Sequence, residues 1–151
     1  MAFRFENHTF TTKGCGDVQD ITEDLRAVVA ASGVRNGMAL AYSPHTTCAI
    51  VINEHEPGFL SDFRGLLDRL VPAEGGYVHD DLSLRSAEEL AEDPHEVPNG
   101  YAHCRGALIG SASQAVPVVD GKLLLGRWQS VFLVELDRSR ERHVYLQAVG
   151  E

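Results

Sequence analysis

Five consecutive apolar residues, Cys48-Ala49-Ile50-Val51-Ile52, constrain this chain more than any other stretch. An unbroken run has no polar positions to turn towards solvent, so it reads as a strand covered on both faces. Its flanks are polar. His45, Thr46 and Thr47 stand at its entrance, and Asn53 and Glu54 at its exit. Pro44 lacks a backbone donor and biases Ser43 towards an extended conformation. The polar groups at the entrance are therefore held by a stiff backbone, as a site requires. His45 is the first residue to which chemistry is assigned.

The strand implies partners, and the rest of the chain supplies them. Phe3 to Thr12 begins in alternation and reads as a strand at a sheet edge. After a Gly14-Cys15-Gly16 turn, Asp20 and Glu23 predict a capping box for a helix with Leu25, Val28 and Val29 on its apolar stripe. Gly33 ends that helix. Gly37–Tyr42 is a strand leading to His45, and Ser43–Thr47 a bend or bulge before the next. Gly58–Leu70 predicts a second helix, with Leu60, Phe63, Leu67 and Leu70 at helical spacing and Pro72 as its stop. Ala102–Gly110 is a short helix. Gln114–Val119 and Lys122–Leu125 form a hairpin about Asp120-Gly121. Val131–Leu136 and His143–Val149 form another through Asp137–Arg142. Many short strands with two or three helices predict an α+β fold on a mainly antiparallel sheet. Its 151 residues form one compact domain. Residues 72–100 are a long loop or insert within it, with Ser86–Val97 expected to be its mobile portion.

Composition closes off several classes of function. A formal net charge of −9 with no basic run argues against a nucleic-acid binder. No apolar run approaches the roughly 20 residues that cross a bilayer, so no membrane partner is expected. The start of the chain lacks the apolar core of a secretory leader. Three cysteines without Cys-x-x-Cys spacing favour reduced thiols, and together these features predict a cytoplasmic protein. Cys104, directly after His103, is a candidate nucleophile, but small hydrophobic packing is the commoner role of a free cysteine.

Two constellations carry the possible chemistry. The first is three imidazoles in ordered polar contexts: His45, His79 beside Asp80 and Asp81, and His103. Three histidines from separate segments suit a zinc-like centre with an open position. Their spacing leaves open the plainer reading of three separate hydrogen-bonded histidines. His8, His95 and His143 are read as surface residues. The second lies between Gly106 and Gln129. Ser111 and Ser113 offer hydroxyl and backbone N–H groups to phosphate. Arg127 can add a charge-assisted bond, and Trp128 can stack on a planar ring. A turn with a core tryptophan is the alternative. Asp62, on the second helix, is either a functional carboxylate or a solvated one.

Taken together, these blocks resemble a known family. The motif runs His45-Thr46-Thr47-x-Ala49-Ile50-x-Ile52-Asn53-Glu54, Asp62, Tyr77-x-His79-Asp80 and Asn99-x-x-Ala102-His103. It continues through Leu108-x-Gly110, Pro117-Val118-x-x-Gly121-x-Leu123-x-x-Gly126-x-Trp128-Gln129 and Glu135. This order resembles the YjbQ-type family of secondary thiamine-phosphate synthases. The resemblance implies a distorted antiparallel sheet, a homotrimer with sites near subunit boundaries, and a metal pocket lined by His45, His79 and His103. It places Asp62, Asn53, Glu54, Trp128 and Gln129 around that pocket. Three features depart from the family pattern: Arg127 in place of a threonine, His55 in place of an amide, and a longer Leu82–Pro98 insert.

The reaction so implied is a weak, secondary condensation that joins hydroxymethylpyrimidine diphosphate to a thiazole phosphate and releases pyrophosphate. Asp62, His45 and Glu54 are its catalytic candidates. Asn53, Ser111, Ser113, Arg127, Trp128 and Gln129 are its substrate and phosphate contacts. A divalent metal is expected, zinc-like rather than magnesium, because histidines are soft donors beside the oxygen ligands magnesium prefers. The same residues support two alternatives: a metal-dependent hydrolase of a small phosphorylated or acylated metabolite, and a non-enzymatic trimeric binding protein for a metal or metabolite.

Overall fold

The computed structural model describes residues 1–92, 97–110 and 112–151. Among the described residues, eight strands and four helices follow one another, beginning with β1 (Ala2–Thr11), β2 (Val18–Asp20), α1 (Thr22–Ser32), β3 (Gly37–Tyr42), β4 (Cys48–Glu54) and α2 (Pro57–Leu70). Then come α3 (Ala87–Glu92), α4 (Gly100–Ile109), β5 (Ser113–Val119), β6 (Lys122–Leu123), β7 (Gln129–Glu135) and β8 (Glu141–Gly150). Short 3-10 turns cover Val78–Asp80 and Leu82–Leu84. The strands form a five-stranded sheet, ordered β1-β8-β3-β5-β6, and a three-stranded one, ordered β2-β7-β4. Every pairing is antiparallel. No helix among the described residues is long and apolar enough to cross a membrane.

The apolar run does what its composition requires. Cys48 and Ile50 face a core shared with the five-stranded sheet and α1, while Ala49 faces a second core under α2 and α4. Its neighbour β7 divides in the same way, Val131 and Leu133 to one side, Phe132 and Val134 to the other. The three-stranded sheet is thus the middle layer. Burying each large apolar side chain there contributes about 1.5–3 kcal/mol.

The five-stranded sheet has a second face over which the described residues place no layer. Register aligns mostly apolar residues across it in rows, interrupted by Gln147, Asn7 and Ser113: Phe3, Val149, Met38 and Pro117, then Phe5, Gln147, Leu40 and Ala115, then Asn7, Tyr145, Tyr42 and Ser113. Phe3 is 62% exposed and Phe5 52%. Solvated faces of antiparallel sheets normally alternate to polar residues, so this one reads as a contact surface.

Several expectations need correction. β7 and β8 do not form a hairpin. Both edges of β7 are taken by β2 and β4, whereas β8 pairs with β1 and β3. Asp137–Arg142 instead carries the chain from one sheet to the other. The capping box is absent too. α1 starts at Thr22, whose N–H donates to Asp20 Oδ1 at 2.9 Å. Glu23 turns outward to Arg26. β2 itself was not anticipated, being only three residues long. The Asp120-Gly121 turn is confirmed, with φ of 50° and 76°, the positive pair of a type I′ hairpin. The expected mobile portion, Ser86–Val97, contains α3, and its residues 93–96 lie outside the described residues.

Candidate active site

Ser43–Thr47 carries the chain from β3 in one sheet to β4 in the other, and its backbone is pinned along its length. Ser43 N–H donates to Ala112 O at 2.8 Å. Arg142 donates to Thr47 Oγ1 at 2.9 Å. Helix α4 packs close at Gly106, where a Cβ would sit 3.0 Å from Thr46 O. Between these elements is a cavity of about 200 Å³ lined by Tyr42, Ser43, Pro44, His45, Gly106 and Ala112. His45 Nε2 accepts the backbone N–H of His143 at 2.9 Å, and the two rings stack with centroids 5.9 Å apart. The neutral ring therefore carries its proton on Nδ1. Burial, and then the Arg142 cation, push the His45 pKa down. Burial pushes the Cys48 thiol up, and its sulfur lies 2.9 Å from Ser43 Oγ. Cys48 is a packing residue.

His79 and His103 meet as a pair, with ring centroids 4.4 Å apart and planes tilted by 34°. The first turn of α4 is tied down beside them. Gly100 N–H donates to Asp80 Oδ1 at 2.8 Å. Buried Asn99, just before the helix, donates through Nδ2 to Asp137 Oδ2 at 3.1 Å. From the insert, Arg85 places a guanidinium nitrogen 3.1 Å from His79 Nε2.

The protomer does not fit a three-imidazole metal centre. Among the described residues no group of three or more His, Cys, Asp or Glu is arranged to hold an ion. The Nε2 lone pair of His45 is used by His143, and its Nδ1 carries the proton. His79 in turn faces the Arg85 guanidinium.

A second cavity, of about 230 Å³, lies at the exit of β4. Glu54, His55, Glu56, Arg127, Trp128, Gln129 and Ser130 line it. Trp128 is 63% exposed, so it is not the core tryptophan of the alternative reading. The Arg127 guanidinium lies over its ring, 4.8 Å from the centroid. Gln129 pairs with Glu54 across the sheet, and its Oε1 accepts Gly126 N–H at 2.8 Å. The amide NH₂ of Gln129 is therefore turned away from that bond.

The seven residues of β4 separate the two cavities by about 20 Å at 3.3 Å per residue. The candidates divide accordingly. His45 and Ser113, which pairs with Tyr42, lie at the entrance end. Glu54, Arg127, Trp128 and Gln129 lie at the exit. Asn53 is exposed beside the exit cavity, its Oδ1 accepting Glu54 N–H at 2.8 Å. Asp62 is exposed on α2 and lines neither cavity. Ser111 lies outside the described residues. His143, read as a surface residue, is the ring and amide that fix His45. Only its place on the outward-facing side of β8, beside Tyr145, could have pointed to it.

The fold is shared with proteins of several organisms. The family described as UPF0047 protein YjbQ-like matches residues 6–151. The chain belongs to the YjbQ/UPF0047 family. A UPF0047 protein of Methanothermobacter thermautotrophicus is 37% identical over 132 residues, covering 87% of this chain and 82% of the relative. The UPF0047 protein YugU of Bacillus subtilis is 36% identical over 132 residues, 87% of this chain and 88% of the relative. Among solved structures, a YbjQ-like protein of unknown function from Sulfolobus solfataricus superposes with a TM-score of 0.79 at 32% identity, covering 99% of this chain and 98% of that one. A hypothetical protein from Aeropyrum pernix gives 0.80 at 32% identity, covering 98% of this chain and 99% of that one. The family is thus shown, and with it the α+β fold of two curled antiparallel sheets.

Proposed function

We propose that this YjbQ family member transfers a small phosphorylated heterocycle, by thiamine-phosphate synthase-type chemistry, in a homo-oligomer whose copies combine their two half-sites. The observation that carries this is the exit cavity. An exposed indole, a guanidinium over it and an amide donor form a surface for a flat ring bearing phosphate. Arg127 would neutralise the departing pyrophosphate, the largest service a protein can give this reaction. Trp128 would hold the ring in line. Glu54, across from Gln129, would face the carbocation-like centre formed as pyrophosphate leaves.

His45 stands at the other end of β4, too far to meet the same small molecule within one protomer. The apolar rows on the five-stranded sheet end at Tyr42, Tyr145 and His143, beside His45. A second copy seated on those rows would cover the apolar surface and border the entrance cavity. That supports the homotrimer expected from the family resemblance. A zinc-like ion would find imidazoles at His79 and His103, and His45 would join them only by giving up the His143 amide.

The test is direct incubation with hydroxymethylpyrimidine diphosphate and thiazole phosphate, reading pyrophosphate release. Release that falls in Arg127→Thr and Trp128→Ala supports the reading. Release equal to that of a no-protein control overturns it.

A further inference from the structure

The exit cavity contains a group that the transfer chemistry leaves unused. His55 follows the last residue of β4 and lines the cavity beside Arg127. Its ring lies against buried Phe132 on β7, with centroids 5.4 Å apart. Its Nδ1 faces Asp20 Oδ2 at 3.4 Å. Register sets Asp20 beside Phe132 on β7, and the His55 ring packs against that same phenyl ring.

Asp20 is itself fixed. Its other oxygen, Oδ1, accepts the Thr22 N–H at 2.9 Å and the Thr22 hydroxyl. Thr22 Oγ1 in turn accepts Val131 N–H at 2.9 Å, inside the core. A buried backbone amide thus anchors the hydroxyl, the hydroxyl anchors the carboxylate, and the carboxylate faces the imidazole. This is the geometry by which a carboxylate sets a histidine tautomer and fixes its ring.

The other charges facing His55 are few. Glu56 is turned to the N-terminus of α2, accepting Gly58 and Phe59 N–H at 2.8 and 2.7 Å. Glu54 and Arg127 line the cavity with opposite charges. Phe132 contributes none.

We propose that His55 is the proton-transfer group of this cavity and Asp20 its positioning residue, acting on a phosphate-bearing ligand held by Arg127. In the step, the N–H bond at His55 Nε2 breaks and leaves its electron pair on nitrogen. An O–H bond forms on a ligand phosphate oxygen, and the Nδ1–H stays directed at Asp20. The proton returns by the reverse step. This rests on the phosphate reading of the cavity given above, and the test separates the two.

Trp128 is the single tryptophan of the chain, so its emission reports on the cavity. The probe is sulfate, a dianion throughout the range from about pH 5.5 to 8, over which imidazoles change charge. Wild-type protein is expected to bind sulfate about tenfold more tightly at the acid end, the effect of one added charged hydrogen bond. His55→Gln flattens that slope. Arg127→Thr weakens binding at both ends and keeps the slope. An unchanged slope in His55→Gln overturns the proposal while leaving the phosphate reading intact. Loss of any Arg127 effect sinks the phosphate reading instead. Nitrogen-15 imidazole spectra give a second, ligand-independent arm. The neutral ring is expected to carry its proton on Nδ1 in wild type and to lose that preference in Asp20→Asn. A wild-type ring protonated on Nε2 overturns the proposal whether or not sulfate binds.

Discussion

The Arg142 guanidinium grips the Glu135 carboxylate with two hydrogen bonds, Nε to Oε2 at 2.7 Å and a terminal nitrogen to Oε1, at the point where the chain leaves one sheet for the other. Both side chains are buried, and the remaining valences are used. Thr12 donates to Oε2 at 2.7 Å, Leu136 and Asp137 N–H to Oε1 at 3.1 and 2.9 Å, and Arg142 donates on to Thr47. Burial opposes the charge on Arg142, but the Glu135 bonds and charge outweigh it and raise its pKa.

Breaking such a pair strands a charge in the core. Glu135→Gln should lower unfolding stability by about 3–5 kcal/mol in urea titrations, whereas Glu135→Leu with Arg142→Met should recover much of the loss. Because Arg142 also holds Thr47, the single variant should lower any turnover as well. A Glu135→Gln protein as stable as wild type would remove the pair from its structural role.

His45 gives a pH dependence. Its folded pKa lies below the ordinary imidazole value of 6.5, because burial and nearby cations oppose the charge. Below 6.5 the unfolded chain binds more protons than the folded one, so stability is full above that value and declines as pH falls towards the folded pKa. Protonation also ends the acceptance of His143 N–H. Urea midpoints at about pH 7.5 and 5.5 should differ more in wild type than in His45→Gln. Equal differences would show that another group governs the slope.

The histidines also separate by metal content. His79→Ala and His103→Ala should lower any bound zinc measured by elemental analysis, while His45→Ala should leave it unchanged. Equal loss in all three would mean that His45 turns to the metal and releases His143.

The apolar rows predict self-association. Phe5→Glu with Met38→Glu should shift sedimentation from an oligomer to the 16.5 kDa protomer without unfolding it. An unchanged oligomer would place its interface elsewhere.

Much of this was legible in the sequence, and the reasons are local. β3 was recoverable at its observed bounds, and β4 at its start because the apolar run is a local signal, although the strand continues through Asn53 and Glu54. The Asp120-Gly121 turn was legible because positive φ selects those residues. The exit cavity was legible as residues, since Glu54 and Gln129 flank strands that pair. The β7–β8 hairpin misled because a short polar connection looks alike whether it turns back or crosses between sheets. His143 and Asp20 were missed because their roles come from strand order, which spacing along one chain does not encode.

The claim that neighbouring copies combine their half-sites has its most direct test in subunit complementation. His103→Ala inactivates the imidazole half and Arg127→Thr the phosphate half. Refolded together in equal amounts, the two variants should regain about a quarter of wild-type pyrophosphate release, since one interface in four then holds both intact halves. A mixture no more active than either variant alone would place the whole site within one protomer and contradict the account.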